Sequence, residues 1–191
     1  SKLGIGGCIW DFVDQSIYDA ADIKQGKLTA NGFPKYMTGY DYPGPHQGNF
    51  VNNGLVTADR NWSPELVEVK KVYQYVKFAT YASSTKTLKL TNAYAFTDLA
   101  DFSLKYTVLE NGHEVESGTM PIPATAPGES VQLVIPYEYE PTNDVEAHLN
   151  VEVCLKEDKV WADKGYAIAS HQYTLKTRAT SLPTLEGKGR V

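Results

Sequence analysis

A short apolar stretch near the start of the chain, Gly6-Gly7-Cys8-Ile9-Trp10-Asp11-Phe12, constrains the fold more than any other feature. The run from Ile5 to Phe12 is too short for a helix and has two glycines near its start, which predicts a strand buried on both faces. Such strands belong to parallel sheets, and these need several strand–helix repeats. Because the chain contains one candidate repeat, we expect this strand to belong to a larger enzyme and to have lost its neighbours.

The helix of that repeat is predicted to begin at Ser63. Ser63 can cap free backbone N–H groups, Pro64 suits the first helical position, and Glu65 lies near the positive end of the helix dipole. An apolar stripe at steps of three and four follows, formed by Leu66, Val69, Tyr73 and Val76. Residues 16–62, between strand and helix, are rich in Gly, Pro, Asn and Tyr, which predicts a long loop of the functional kind.

From about residue 84 the hydrophobic period changes to two, as in half-buried strands. Asn111-Gly112 is a strong signal for a hairpin turn between two of these strands. The strands are predicted over residues 87–91, 102–110, 115–120, 131–135, 149–155 and 166–175. Six or seven short strands joined by turns indicate an antiparallel sandwich of the immunoglobulin type. The tail from Thr177 contains Pro183, Gly187 and Gly189 and is typical of a linker.

The composition excludes several classes of partner and site. The net charge is −5 with both signs spread along the chain, so no basic patch for nucleic acid or anionic membranes is present in the sequence. Cys8 and Cys154 lie far apart, which supports neither a disulfide framework nor a zinc site. The start Ser1-Lys2-Leu3 resembles no signal peptide, and no transmembrane span is predicted. We expect a chain cut from something longer, whose compartment the sequence leaves open.

Asp11 and Asp14 are the first candidates for chemistry, because hydrolysis of sugars uses a pair of carboxyl groups. Without neighbours that raise the pKa of one of them, two aspartates at a strand end are hydrogen-bonding loop residues, and we favour that interpretation.

Trp10 is a stronger candidate, since a flat indole at the end of a barrel strand can stack on the apolar face of a sugar; a core tryptophan is the equal alternative. Asn53-Gly54 is more simply a turn. Trp161 and Tyr173 fall inside the sandwich pattern and are predicted to lie in its core.

Three segments together resemble one known family. Gly7-Cys8-Ile9-Trp10-Asp11-Phe12-Val13-Asp14-Gln15-Ser16 resembles the last barrel strand of the large β-galactosidases of glycoside hydrolase family 2. Asn53-Gly54-Leu55-Val56-Thr57-Ala58-Asp59-Arg60, followed by Pro64-Glu65-Leu66, resembles the approach to their final barrel helix. Trp161-Ala162-Asp163-Lys164-Gly165-Tyr166 and His171-Gln172-Tyr173-Thr174-Leu175 resemble the closing strands of the domain that follows. These matches occur in the right order and cover most of the chain.

The resemblance implies a mainly β fold: an immunoglobulin-like antiparallel β-sandwich preceded by the last strand, loop and helix of a (β/α)8 barrel. Residues 1–78 would end the barrel, residues 79–176 would form the sandwich, and residues 177–191 would lead toward a further domain. The implied reaction is retaining hydrolysis of terminal β-galactosides by two glutamates that lie upstream of this chain. The fragment alone is therefore expected to be inactive, with no catalytic residue of its own.

The resemblance also implies roles for three residues. Trp10 would be the wall on which galactose stacks, and Asn53 would contact the sugar and help hold a sodium ion. Phe50 would offer its main-chain carbonyl to that ion while its ring gates the site. The magnesium ligands of the family lie mostly upstream, so we expect the fragment to hold neither ion tightly.

The expected partners are a galactoside in the parent enzyme, the rest of the parent chain, and further copies of the fragment, which would cover its exposed apolar faces. The alternative from another class is a free-standing carbohydrate-binding β-sandwich module, with the first 80 residues as an aromatic loop platform. A self-contained glycosidase that uses Asp11 and Asp14 is a third possibility.

Overall fold

The computed structural model describes residues 6–18, 20–28, 35–48, 50–142 and 144–178. The chain divides into two compact units, Ser1–Val72 and Tyr73–Val191. The predicted linker lies almost wholly outside the described residues, as do Ile5 at the start of the predicted strand and the Gly32-Phe33-Pro34 part of the predicted loop. Among the described residues, no helix combines the length and apolar character needed to cross a membrane.

The first unit contains short elements joined by loops. Strand β1 (Ile17–Tyr18) pairs antiparallel with β2 (Tyr36–Met37), and helix α1 (Ala20–Lys24) lies between them in sequence. A 3-10 turn at Gly39–Asp41 follows, and helix α2 (Pro64–Val72) ends the unit. The predicted long loop thus contains small pieces of structure, each too short to have a periodic signal of its own.

The predicted strand from Ile5 to Phe12 is wrong for its described part. Residues 6–12 form no strand, and Trp10 is 76% exposed and Phe12 is 55% exposed. The parallel pairing begins later in the chain, where Val13 bridges Val56. A strand buried on both faces needs neighbouring strands and covering helices, and the described residues of this unit supply a single parallel neighbour.

The predicted helix start is confirmed. The side-chain hydroxyl of Ser63 accepts a hydrogen bond from the backbone N–H of Leu66 at 3.3 Å, as an N-cap does. The helix ends at Val72, so the predicted stripe is wrong beyond that point: Tyr73 is an exposed turn residue, and Val76 is buried in a strand of the second unit. None of the nine residues of α2 is buried.

The described residues of the second unit form seven strands in two antiparallel sheets. The strands are β3 (Val76–Phe78), β4 (Thr87–Asn92), β5 (Phe102–Glu110), β6 (His113–Pro121), β7 (Ser130–Val134), β8 (Ala147–Leu155) and β9 (Ala167–Lys176). One sheet has the order β3-β4-β7, and the other has the order β6-β5-β8-β9. The predicted hairpin joins β5 to β6, and the positive φ angles of Asn111 (49°) and Gly112 (84°) are those of a two-residue type I′ turn.

Both sheets contribute to one hydrophobic core. Leu88 and Leu90 of β4 are fully buried, and so are Leu104 of β5 and Leu149 and Val151 of β8. Burying one such side chain stabilises the fold by about 1.5–3 kcal/mol. The predicted mainly β fold with an antiparallel sandwich is therefore confirmed. Strand β3 was not predicted, because three residues directly after a helical stripe have no pattern of their own.

A row of rings connects β3 with β9, which belong to different sheets. The Phe78 ring stacks on His171 with centroids 5.7 Å apart, and His171 meets Tyr173 at 4.6 Å. Tyr173 packs against the core as predicted, and its hydroxyl donates a hydrogen bond to the carbonyl of Ala79 at 2.6 Å. The predicted burial of Trp161 is wrong: its side chain is 66% exposed, in a β8–β9 connection that extends beyond the paired strands.

Two polar side chains organise the loops at one end of the sandwich. The buried amide of Asn92 donates to the carbonyls of Thr97 and Thr125, both at 2.8 Å. One carboxylate oxygen of Asp98 accepts hydrogen bonds from the backbone N–H groups of Ala100 (2.7 Å) and Thr125 (2.9 Å). These two bonds lower the pKa of Asp98, because they favour its charged form.

The substitution Asp98→Asn is expected to destabilise the sandwich at pH 7. A carboxyl group whose pKa is lowered in the folded state adds stability above its ordinary pKa and loses it as the pH falls through the lowered value. The midpoint of urea unfolding should thus differ between Asp98→Asn and the unsubstituted chain at pH 7. That difference should shrink below about pH 4.

Asp101→Asn is the matched control, because Asp101 lies in the same loop with its side chain exposed. It should leave the urea midpoint nearly unchanged at both pH values. A difference for Asp98→Asn that is equally large at pH 7 and pH 3 would contradict the proposed source of the stability.

Candidate functional site

A ladder of backbone hydrogen bonds joins two segments of the first unit that lie about forty residues apart. The N–H of Asp11 donates to the carbonyl of Asn53 at 3.0 Å, and the N–H of Leu55 returns a bond to the carbonyl of Asp11 at 3.2 Å. The next two bonds repeat the pattern. The N–H of Val56 donates to the carbonyl of Phe12 at 3.0 Å, and the N–H of Asp14 donates to the carbonyl of Val56 at 2.8 Å. This parallel pairing places the residue after Trp10 directly beside Asn53.

The side chain of Asp14 fastens the same two segments. Its carboxylate accepts a hydrogen bond from the N–H of Gly54 at 2.7 Å. A Cβ atom on Gly54 would lie 2.2 Å from the backbone nitrogen of Asp14 and 2.6 Å from the carbonyl carbon of Val13. Only glycine permits this approach, so Gly54 is a packing position and not the simple turn favoured by the dipeptide. A glycine within a strand-like run was the available signal.

Asn53 is also connected to Phe50. The side-chain amide of Asn53 donates a hydrogen bond to the main-chain carbonyl of Phe50 at 3.1 Å. Two hydrogen bonds therefore link the backbone next to Trp10 to Asn53, and Asn53 to Phe50. The Trp10 ring is 76% exposed and the Phe50 ring is 68% exposed. The three residues singled out by the resemblance thus belong to one connected group with accessible aromatic surface.

Asp11 and Asp14 are both engaged with neighbouring groups. Asp11 accepts a hydrogen bond from the backbone N–H of Phe12 at 2.7 Å and a second one from the side-chain amide of Gln15. Asp14 holds Gly54, as described above. This arrangement agrees with the favoured interpretation of both residues as hydrogen-bonding loop residues, and it gives Asp14 a positioning role that the sequence did not reveal.

The loop of residues 39–48 closes on itself through hydrogen bonds and a ring contact. The N–H of Gly39 donates to the carbonyl of Gly48 at 2.8 Å, and the N–H of Gly48 donates to Nδ1 of His46 at 3.0 Å. The Tyr40 ring meets the His46 ring edge-on at 5.1 Å. The sequence predicted a loop here but not its internal contacts, because these depend on positive φ angles and ring packing and not on periodicity.

Other carboxyl groups of the unit are held in the charged form. A hydrogen bond from the ammonium group of Lys35 at 2.6 Å lowers the pKa of Asp41. A hydrogen bond from the hydroxyl of Thr57 lowers the pKa of Asp59. The pKa of Glu65 is lowered by hydrogen bonds that its carboxylate accepts from the Glu65 backbone and from the Ser63 side chain. A general acid needs a pKa raised toward neutrality, so these three groups are unsuited to protonating a leaving group.

The chemistry of Phe50 and Asn53 fits a hard monovalent or divalent cation. A main-chain carbonyl and a side-chain amide both offer neutral oxygen donors, which such cations prefer. Two donors are fewer than a cation of this kind needs, so further ligands would have to come from elsewhere. Among the described residues, no cluster of three or more His, Cys, Asp or Glu side chains could hold a metal ion.

Comparison with protein-family models identifies both halves of the chain. Residues 4–78 match the model described as Glycosyl hydrolases family 2, TIM barrel domain. Residues 88–176 match the model described as Beta-galactosidase, domain 4. The first match contains the Trp10, Phe50 and Asn53 group, and the second contains strands β4 to β9.

Curated relatives are similar over nearly the whole chain. The chain is 32% identical to a beta-galactosidase of Priestia megaterium over 95% of the chain. It is 30% identical to a beta-galactosidase of Psychromonas ingrahamii, again over 95% of the chain. A beta-galactosidase of Clostridium acetobutylicum is 33% identical over 91% of the chain. The chain spans 17% of the length of the first two relatives and 18% of the third.

The substitution Gly54→Ala is expected to open the ladder between the two segments. The added Cβ would meet backbone atoms, which cannot swing aside as a flexible side chain can. We expect a loss of about 1–3 kcal/mol in the stability of the first unit. Amide hydrogen exchange at Asp11, Asp14 and Val56 should become correspondingly faster.

Gly7→Ala provides the matched control, because a Cβ at Gly7 would have no heavy atom within 4 Å. Exchange in the ladder should be unaffected by that change. Protection of Asp14 and Val56 that is equal in Gly54→Ala and in the unsubstituted chain would contradict the role assigned to Gly54.

Proposed function

The chain belongs to the β-galactosidases of glycoside hydrolase family 2, and on that basis we propose that it supplies the sugar-positioning end of a barrel that hydrolyses terminal β-galactosides. The observation that carries this proposal is the hydrogen-bonded connection from Asp11 through Asn53 to Phe50. It joins the residues on which the resemblance places the sugar, although they are far apart in sequence.

Each residue of the group has a distinct part in binding. The exposed indole of Trp10 offers a flat apolar surface to the C–H face of galactose. The Asn53 amide is available to sugar hydroxyls, and the ladder to Asp11 holds it at a constant distance from the backbone beside Trp10. The exposed ring of Phe50 gates the site, and its carbonyl is held by Asn53. Asp14 and Gly54 position the group without touching the sugar.

A sodium ion would be held by the carbonyl of Phe50 and the amide oxygen of Asn53, once the Asn53 amide turns its oxygen instead of its N–H toward that carbonyl. When bound, such an ion supplies a fixed positive charge that orients sugar hydroxyls. Magnesium would be held by other parts of the parent protein. These assignments rest on the resemblance and on the hard oxygen donors described above.

We assign the bond-breaking groups to other parts of the parent protein. Retaining hydrolysis needs one carboxyl group as acid and base and a second as nucleophile, on the two sides of the scissile bond. Asp11 and Asp14 are occupied with backbone and side-chain donors of their own loop. A Trp and an Asn position a sugar, and positioning accelerates a reaction only where reacting groups are present.

The exposed apolar surface of the first unit supports an interface with the rest of the parent chain. Val67 and Val72 of α2 are 60% and 58% exposed, and Phe12 and Ile17 are similarly open. Of the described apolar residues in this unit, Val56 alone belongs to the buried set. In the isolated chain, we expect further copies of the same chain to cover this surface.

The isolated chain is expected to give no turnover of a nitrophenyl β-galactoside above the buffer rate, because the catalytic carboxyl groups are supplied elsewhere. Release of nitrophenol, measured by absorbance, checks this. Activity that disappears in Trp10→Ala would overturn the assignment, since the chain would then carry its own catalytic groups.

Isothermal titration with galactose separates this proposal from a free-standing carbohydrate-binding module. The isolated chain contains only part of the proposed sugar site, so it should show almost no heat of binding at millimolar galactose. Saturable binding that Trp10→Ala removes would favour the binding module, which needs no parent enzyme.

Sedimentation velocity at micromolar concentration is expected to show self-association of the isolated chain. Replacing the exposed valines of α2, in the double variant Val67→Glu and Val72→Glu, should shift the population toward monomer because charges oppose burial. Val134→Glu is the matched control, since Val134 is also 60% exposed but lies on the sandwich. A strictly monomeric unsubstituted chain would contradict the expected covering of these faces.

A further inference from the structure

The outward face of the four-stranded sheet carries a cavity of about 490 Å³ in the second unit. Strand β5 alternates, so that Leu104 and Tyr106 point into the core while Ser103 and Lys105 point outward. Ser103, Lys105, Thr119 and Cys154 line the cavity from three adjacent strands, and Lys156 and Lys164 line it from the two ends of the β8–β9 connection. We call this cavity the lysine pocket.

All charged residues that line the lysine pocket are positively charged. Three of its lining residues are lysines, and none of the described residues that line it is acidic. Acidic residues border the pocket: the carboxylate of Glu152 forms a salt bridge with the ammonium group of Lys105 at 3.4 Å, and the carboxylate of Asp158 accepts a hydrogen bond from the backbone N–H of Lys164. That separation is longer than the roughly 2.7–2.9 Å of a close charged hydrogen bond, so Glu152 offsets part of the charge of Lys105 without a close hydrogen bond.

The other two lysines have ordered surroundings. The ammonium group of Lys156 donates to the main-chain carbonyl of Ala100 at 2.5 Å, which uses one of its three N–H groups and holds its position. The backbone N–H of Lys164 donates to the carboxylate of Asp158 at 2.8 Å, which fixes the backbone from which the Lys164 side chain extends. Hydrogen bonds thus hold the Lys156 ammonium group and the Lys164 backbone in place at the edge of the pocket.

The floor of the pocket is apolar and uncharged. Cys154 pairs with the outward-facing Ser103 and is 4% exposed, whereas the side chain of the next residue, Leu155, belongs to the core on the opposite face. Burial raises the pKa of the Cys154 thiol, so the thiol is neutral at pH 7 and does not repel an anion. Charge–charge attraction is stronger next to such a floor than in open water. The hydroxyls of Ser103 and Thr119 add donors that reach an oxygen atom.

We propose that the lysine pocket is a binding site for a phosphate-type oxyanion, either free phosphate or the phosphate group of a small monoester. Ammonium point charges together with hydroxyl donors recognise phosphate oxygens, and a cavity of about 490 Å³ has room for the organic part of a small ester. All of its lining residues belong to the second unit.

Isothermal titration of the full 191-residue chain with inorganic phosphate and with glucose 6-phosphate tests the site, at ionic strength matched with chloride. Saturable binding is expected, and glucose alone should give none. Tighter binding of glucose 6-phosphate identifies a monoester site, and tighter binding of inorganic phosphate identifies a site for the free ion. Absence of saturable binding for both would overturn the proposal.

Charge-neutralising variants locate the binding. Lys105→Gln and Lys164→Gln should each weaken phosphate binding about tenfold, the effect of one hydrogen bond to a charged group. Lys89→Gln is the matched control, because Lys89 is an exposed lysine on β4 of the other sheet. Equal affinities in the unsubstituted chain and in both pocket variants would overturn the assignment.

Discussion

The parallel backbone pairing between residues 11–14 and 53–56 determines what the first unit can present to a ligand. It depends on one steric condition, the absence of a Cβ at Gly54, which lets the chain approach the backbone of Asp14. The carboxylate of Asp14 then accepts a hydrogen bond from the N–H of Gly54, and the neighbouring backbone bond from Asp11 to Asn53 continues the pairing. The rings of Trp10 and Phe50 are exposed, and the hydrogen bonds of this group are made by backbone and amide groups, not by the rings. The aromatic surface therefore remains available for binding.

The two units differ in how they are stabilised. The sandwich buries residues from both of its sheets in one core, from Leu88 and Leu90 on one side to Leu104 and Leu149 on the other. The described part of the first unit depends on hydrogen bonds and on the single buried apolar residue Val56. An independent domain normally has its own apolar core, whereas a segment of a larger barrel shares the core of its neighbours. This contrast agrees with family membership and with a chain that spans 17% of the relatives' length.

The sequence predictions were correct where the structure depends on residues close together in the sequence, and wrong where it depends on residues far apart in the sequence. The helix start at Ser63-Pro64, the Asn111-Gly112 turn and the alternating strands were correct because each depends on residues close in sequence. The strand over Ile5 to Phe12 was wrong because an apolar run forms a central strand only where other strands cover it. Trp161 was wrong for a related reason: its apolar character was clear, but its place in the β8–β9 connection removed it from the core. The part played by Asp14 depends on a partner forty residues away, and no local pattern encodes it.

The sequence by itself determined the family, the antiparallel sandwich and the identity of the sugar-facing candidates, because motifs and hydrophobic periods are properties of neighbouring residues. Tertiary structure alone decided how the segment of Trp10 is connected to Asn53 and Phe50, since the bond between Asp11 and Asn53 joins segments separated by a long loop. It also decided that three lysines lie around one cavity on the outer face of the sheet. They are spread over sixty residues, from Lys105 to Lys164, and only strand pairing and chain reversal bring them together.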